Sequence, residues 1–120
     1  MSSSQYILDQ LMAVIVERKA HMPAKSYTTT LLAGGVERIG AKIVEEAAEV
    51  VQAGRDCPEA GPAPLIHEAG DLIYHLFVML AHCSIPLSEV EAELARRFGI
   101  SGLEEKASRA AKEQPTQDQP

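Results

Sequence analysis

The stretch from Pro64 to Cys83 limits the folds open to this chain more than any other. Leu65, Ile66, Leu72, Ile73, Leu76, Phe77, Val78, Met79 and Leu80 leave it apolar on nearly every side. Pro64 suits the first position of a helix. A helix apolar all round is buried, at the centre of a bundle or between copies of a chain. Its polar residues are not scattered. Glu68, Asp71, His75 and His82 share one narrow stripe, with His67 and Tyr74 beside it. A polar stripe on a buried helix has the character of a site wall.

The remaining segments also read as helix. Over residues 4–21, Ile7, Leu11, Val14 and Ile15 recur at helical spacing, and Leu8 and Met12 widen the stripe. Ser3 or Ser4 can cap this helix and Pro23 ends it. Residues 22–35 form a connection in which Thr28 to Ala33 can make a short helix stopped by Gly34-Gly35. A second long helix is expected from Val36 to Ala53, on the apolar arc of Ile39, Ile43, Val44, Val50 and Val51. Gly54 to Ala63 reads as a Gly- and Pro-rich loop. Ser88-Glu89-Val90-Glu91 has the capping-box pattern and opens a fourth helix, with Arg96 and Arg97 in its last turn and Gly99 beyond. Ser101-Gly102-Leu103-Glu104 repeats that pattern and opens a fifth segment to about Lys112. The fold class is therefore all-α, a bundle of four to five helices completed by dimerisation. Residues 1–112 form one domain, and the polar, Pro-bearing residues 113–120 a disordered tail.

With 120 residues the chain can bury a real core. A net charge of −6 argues against nucleic acid as a partner, but bound metal can invert the local charge and admit a phosphorylated small molecule. Cys57 and Cys83 form no metal pattern and read as free thiols of a cytoplasmic protein. No signal peptide shows. The apolar run Leu72 to Ala81 is too short to span a bilayer, so no membrane partner is expected.

Two acidic signatures carry the chemistry: Glu45-Glu46-Ala47-Ala48-Glu49 and Glu68-Ala69-Gly70-Asp71. Carboxylates three apart on a helix project from one face, and Glu45 with Glu49 is a like-charge pair costing about 0.2–0.5 kcal/mol. No Lys or Arg follows any of them by three or four residues. Lys42 precedes Glu46 by four, the weaker order for a helical pair. At 100° per residue Glu46 falls in line with Ile39, Ile43 and Val50, at the edge of the buried face. A carboxylate there is costly unless it is paired or binds metal. Glu46, Glu49, Glu68 and Asp71 can meet across a helix pair as an all-oxygen site, suited to Mg²⁺ with Mn²⁺ as a substitute. A di-iron bundle would carry Glu-x-x-His instead. The competing reading is that these are solvated helix faces. His75 fits a hydrogen-bonded interior histidine better than a metal ligand. Lys42 and Arg38 can meet phosphate oxygens or simply face solvent.

These motifs resemble the all-α NTP pyrophosphatase superfamily, whose signature is EExxE followed at a distance by ExxD. Further segments resemble the phosphoribosyl-ATP pyrophosphatase family in particular. They are Ser26-Tyr27-Thr28 with Leu31-Leu32, the run Gly40 to Glu49, Glu68-Ala69-Gly70-Asp71-Leu72-Ile73-Tyr74-His75, Val90 to Arg97, and Gly102 to Arg109. The resemblance spans most of residues 5–110. It implies a Mg²⁺-dependent homodimer that hydrolyses phosphoribosyl-ATP to phosphoribosyl-AMP and pyrophosphate, the second step of histidine biosynthesis. On it, Glu46, Glu49, Glu68 and Asp71 hold the metal, Glu45 activates water or supports the metal shell, and Lys42 steadies a phosphate. Tyr27, Lys106 and Arg109 hold the phosphoribosyl end. Two other readings stay open: a housecleaning (d)NTP pyrophosphatase using the same carboxylates, and a non-catalytic dimeric helical module.

Overall fold

The computed structural model describes residues 6–99. Four helices follow one another: α1 (Ile7–His21), α2 (Tyr27–Ala60), α3 (Ala63–His82) and α4 (Leu87–Phe98). Among the described residues there is no strand. The fold is all-α. Helices α1 to α3 form one packed unit; α4 belongs to a second unit that begins at Pro86. The expected fifth segment, the tail and the Ser3 or Ser4 cap lie outside the described residues.

The α2–α3 pair is the main contact of the first unit, with α1 laid chiefly on α3. Ile15, Leu31, Ile39 and Val78 are fully enclosed between them. Each such side chain contributes about 1.5–3 kcal/mol by leaving water. The buried stripe of α1 is Met12 and Ile15, narrower than its apolar pattern suggests; Ile7, Leu8 and Val14 remain exposed. Lys19 ties α1 to the far end of α3. Its ammonium donates to the Ala81 carbonyl at 2.8 Å, to the His82 carbonyl at 3.3 Å and to Ser84 Oγ at 2.8 Å. Those carbonyls lie at the C-terminal end of α3, where the helix dipole favours a cation.

Several boundaries differ from the sequence-based expectation. The connection after α1 is short, because Ser26 caps α2 by accepting from the Thr29 N–H at 3.2 Å. Gly34-Gly35 does not stop the helix. Gly35 takes φ 70°, ψ −163° and bends α2 into two arms with no intervening loop. Gly54 to Ala60 is helix as well. Pro58 lies inside this last stretch of α2 and has no N–H to give to the carbonyl four residues back. Gly61, at φ 83°, then closes α2 with its N–H on the Cys57 carbonyl at 2.8 Å.

Helix α3 starts one residue before Pro64, and Gly99 ends α4 in the left-handed conformation. Ser88 does not cap α4. It lies inside the helix, which starts at Leu87 after an extended Pro86. Arg96 makes a two-pronged pair with Glu93, at 2.6 and 3.1 Å. This pair lowers the Glu93 carboxyl below the usual range, chiefly through the Arg96 hydrogen bond.

The two glycines Gly35 and Gly54 should respond oppositely to alanine. The Gly35 backbone lies in a region open essentially to glycine alone, so Gly35→Ala is expected to cost about 1–3 kcal/mol. Gly54 is helical with open space where a Cβ would stand, so Gly54→Ala should gain roughly 0.5–1 kcal/mol. Urea unfolding of both variants checks this, and equal effects would contradict the assigned bend.

Candidate active site

The buried row of α2 is Ile39, Glu46 and Ala53, spaced seven apart. Glu46 therefore occupies the middle of the face pressed on α3, not its edge, and is only 5% exposed. Opposite it, one helical turn apart, stand Glu68 and Asp71. One carboxylate oxygen from each of Glu46, Glu68 and Asp71 lies within 4.8 Å of the others. Glu46 Oε1 and Glu68 Oε1 are shut away from solvent with no hydrogen-bond partner. Unpaired carboxylate oxygens packed this closely destabilise the chain unless a cation joins them. An all-oxygen set of this kind fits a hard divalent cation.

Local cations are present after all. Lys42 Nζ reaches Glu45 Oε1 at 3.3 Å and Glu46 Oε2 at 3.8 Å. Its long stem lets one ammonium serve positions three and four ahead. The Glu45 hydrogen bond, then the charges of Tyr27, Glu45 and Glu46, hold the Lys42 ammonium above its ordinary pKa. His67 Nε2 lies 3.3 Å from Asp71 Oδ2. Neither reaches the two orphaned oxygens.

Glu49 is exposed on α2 and stays outside the three-oxygen cluster, yet it acts on Glu68. Burial pushes the Glu68 carboxyl above the carboxylate range, and the neighbouring Glu49 and Glu46 carboxylates push it further. Glu45 points to solvent, tethered by Lys42. Lys106 and Arg109 lie outside the described residues. A cavity of about 210 Å³ adjoins the cluster, lined by Glu49, Gln52, Ala53, Asp56, Pro64 and Glu68. Gln52 Nε2 donates to Asp56 Oδ1 at 3.1 Å. Asp56 lies in the stretch whose Gly and Pro content predicts a loop, so helical spacing does not reach it from the sequence. Read as helix, it falls seven beyond Glu49.

A polar network ties Tyr27, which the resemblance assigns to the phosphoribosyl end, to α3. Its hydroxyl meets His75 Nε2 at 3.0 Å, and His75 Nδ1 meets the Asp71 carbonyl at 2.8 Å. Thr28 Oγ1 bonds the Tyr74 hydroxyl. The Tyr27 and Tyr74 rings stack at 6.2 Å, and Tyr74 meets the His75 ring edge-on at 4.9 Å. Burial raises the Tyr74 hydroxyl above its usual value, against the opposing Thr28 bond. His75 is buried and hydrogen-bonded at both nitrogens, as the sequence suggested for an interior histidine.

A family model for phosphoribosyl-ATP pyrophosphohydrolase matches residues 8–98, which contain every carboxylate of the site. The chain belongs to the phosphoribosyl-ATP pyrophosphohydrolase family. Among its relatives, the phosphoribosyl-ATP pyrophosphatase of Rhodopirellula baltica is 54% identical over 112 residues, 93% of each chain. That of Trichlorobacter lovleyi is 50% identical over 109 residues, 91% of this chain and 98% of the relative. That of Geotalea daltonii is 45% identical over 103 residues, 86% of this chain and 94% of the relative. For a phosphoribosyl-ATP pyrophosphohydrolase family member, the cluster between α2 and α3 is the candidate active site.

The raised Glu68 pKa has a stability consequence. Native Glu68 keeps its proton to higher pH than the unfolded chain does. Its favourable contribution holds at and below the ordinary carboxylate pKa and is lost as pH rises through the raised native value. In EDTA, Glu68→Gln should therefore melt above the parent at pH 8, with the gap closing towards pH 4. Thermal unfolding across pH checks this; a variant that melts lower at pH 8 contradicts it.

Proposed function

We propose that the Glu46–Glu68–Asp71 cluster is where this chain cleaves the α–β phosphoanhydride of phosphoribosyl-ATP, using Mg²⁺ with Mn²⁺ as a substitute. The chain is a hydrolase of histidine biosynthesis that releases pyrophosphate and leaves phosphoribosyl-AMP. The observation that carries the placement is the pair of buried, unpartnered carboxylate oxygens on Glu46 and Glu68. They are oxygen donors suited to a hard cation, at the centre of a helix contact.

Glu46, Glu68 and Asp71 would hold the metal, with Glu49 joining from the exposed side. When bound, Mg²⁺ supplies charge neutralisation and orientation for a polyphosphate. Lys42, kept charged by Glu45 and standing beside Glu46, is placed to meet a phosphate oxygen. Glu45 is open to solvent beside Lys42, and we assign it to accept the proton of the attacking water. The new P–O bond forms from that water. The P–O bond to the bridging oxygen breaks, and that oxygen leaves on the other fragment. Tyr27 holds the phosphoribosyl end, and Lys106 and Arg109 are proposed to assist it.

We also assign a homodimer. Ile66, Ile73 and Leu76 on α3 and Val44 and Val51 on α2 are exposed, Val44 by 71% and Ile66 by 68%. Exposed apolar residues at seven-residue spacing on adjacent helices suit a second copy. Free Cys57 and Cys83 support a cytoplasmic location. No single helix among the described residues is long and apolar enough to cross a membrane. The charge of −6 supports a small-molecule substrate over nucleic acid.

Pyrophosphate release tests the activity. Release from phosphoribosyl-ATP should require Mg²⁺, stop in EDTA, and exceed release from any dNTP. Glu46→Gln and Asp71→Asn should each lower kcat by about a hundredfold or more, on the scale of other lost electrostatic contacts in catalysis, and remove the thermal shift that Mg²⁺ gives the parent. A dNTP preference would move the chain to the housecleaning reading. For the dimer, Ile73→Asp should convert a two-chain species to one at micromolar concentration in sedimentation; a monomeric parent would refute the assembly.

A further inference from the structure

The hydrogen-bond polarity of the Tyr27–His75–Asp71 chain determines what Tyr27 can recognise. A backbone carbonyl only accepts, so His75 Nδ1, at 2.8 Å from the Asp71 carbonyl, must carry the proton. In the neutral ring Nε2 is then bare and accepts. The Tyr27 hydroxyl, 3.0 Å away, must donate to it. A phenol has one proton. Once that proton points at His75, the Tyr27 oxygen has only lone pairs to offer anything else.

We propose that His75 is a positioning residue that makes Tyr27 an acceptor-only contact. Tyr27 would read a neutral donor such as a ribose hydroxyl on the substrate and would not bind phosphate oxygens. The inference rests on the activity assigned above.

Several observations support it. His75 is 4% exposed, whereas Tyr27 is 50% exposed, so the imidazole is a fixed mount and the phenol a reachable surface. The ring of Tyr27 is held flat against Tyr74, at an interplanar angle of 21°. Tyr27 opens α2 directly after the Ser26 cap, on the short arm before the Gly35 bend. Lys42 Nζ, by contrast, stands 3.8 Å from Glu46 Oε2. Phosphate therefore has a cation of its own beside Glu46, and Tyr27 is left for an uncharged part of the substrate. Asp71 gains as well: the imidazole is anchored to the turn of α3 that carries it.

Two substitutions at one position separate the two bonds. Asn carries its amide at the place of Nδ1, so His75→Asn retains the donor to the Asp71 carbonyl and loses the acceptor for Tyr27. Gln carries its amide at the place of Nε2, so His75→Gln retains an acceptor for Tyr27. Steady-state hydrolysis of phosphoribosyl-ATP at saturating Mg²⁺, with pyrophosphate as the competing anion, reads the outcome. Tyr27→Phe should raise KM about three- to tenfold, the scale of one neutral hydrogen bond, with kcat held. The Ki for pyrophosphate and the Mg²⁺ thermal shift should stay unchanged. His75→Asn should copy Tyr27→Phe, His75→Gln should stay near the parent, and adding Tyr27→Phe to His75→Asn should cost nothing more. A raised pyrophosphate Ki in Tyr27→Phe would show a phosphate contact and overturn the proposal. So would equal KM values for His75→Asn and His75→Gln, or an unchanged KM in Tyr27→Phe. Loss of all hydrolysis in the parent would instead strike the assigned activity itself.

Discussion

A carboxylate in the middle of a helix–helix contact is the constraint on which the rest depends. Glu46 stands between Ile39 and Ala53 on the buried row of α2, where an apolar side chain would pack at no electrostatic cost. Two more carboxylates meet it from α3. Such a cluster destabilises the chain when empty and is favourable once a cation joins it. The fold therefore has to hold α2 and α3 together by other means. It does so with the enclosed side chains Leu31, Ile39 and Val78.

The second arm of α2 bears Lys42, Glu45, Glu46 and Glu49, and the first arm bears Tyr27 and Thr28. The Gly35 bend lets one continuous segment present both to α3. Thr28 bonds Tyr74 and Tyr27 bonds His75, so the short arm is fastened to the helix that supplies Glu68 and Asp71. The acidic cluster and the Tyr27–His75 network are thus positioned by one helix pair. Disturbing the bend should disturb the network around Tyr27 before it disturbs the cluster.

Much of this was legible in the residue order. Helical periodicity located α1, α3 and the long arm of α2, because burying one face of a helix imposes a 3.6-residue repeat. The i,i+3 spacing of Glu46 with Glu49, and of Glu68 with Asp71, put each pair on one face. The misreadings have a common cause: local signals outranked by tertiary contacts. Gly34-Gly35 looks like a stop signal, yet Leu31 and Ile39 on either side are both enclosed, which favours a bend over a loop. Gly54 to Ala60 is poor in helix formers, but it extends a helix already nucleated and costs little to propagate. Ser88 has a capping-box sequence, but the extended Pro86 takes the cap position and the helix starts at Leu87.

The sequence by itself determined the all-α class, the family and the identity of the acidic residues, because each depends on residue types and their spacing along one helix. Tertiary structure alone decided which of those carboxylates converge. Glu46, Glu68 and Asp71 meet, Glu49 acts from the exposed side, and Glu45 turns out to Lys42. It also brought His75 between the Tyr27 hydroxyl and the Asp71 carbonyl. Tyr27 and His75 lie far apart in the chain, and spacing along one helix carries no information about which face of another helix it will meet.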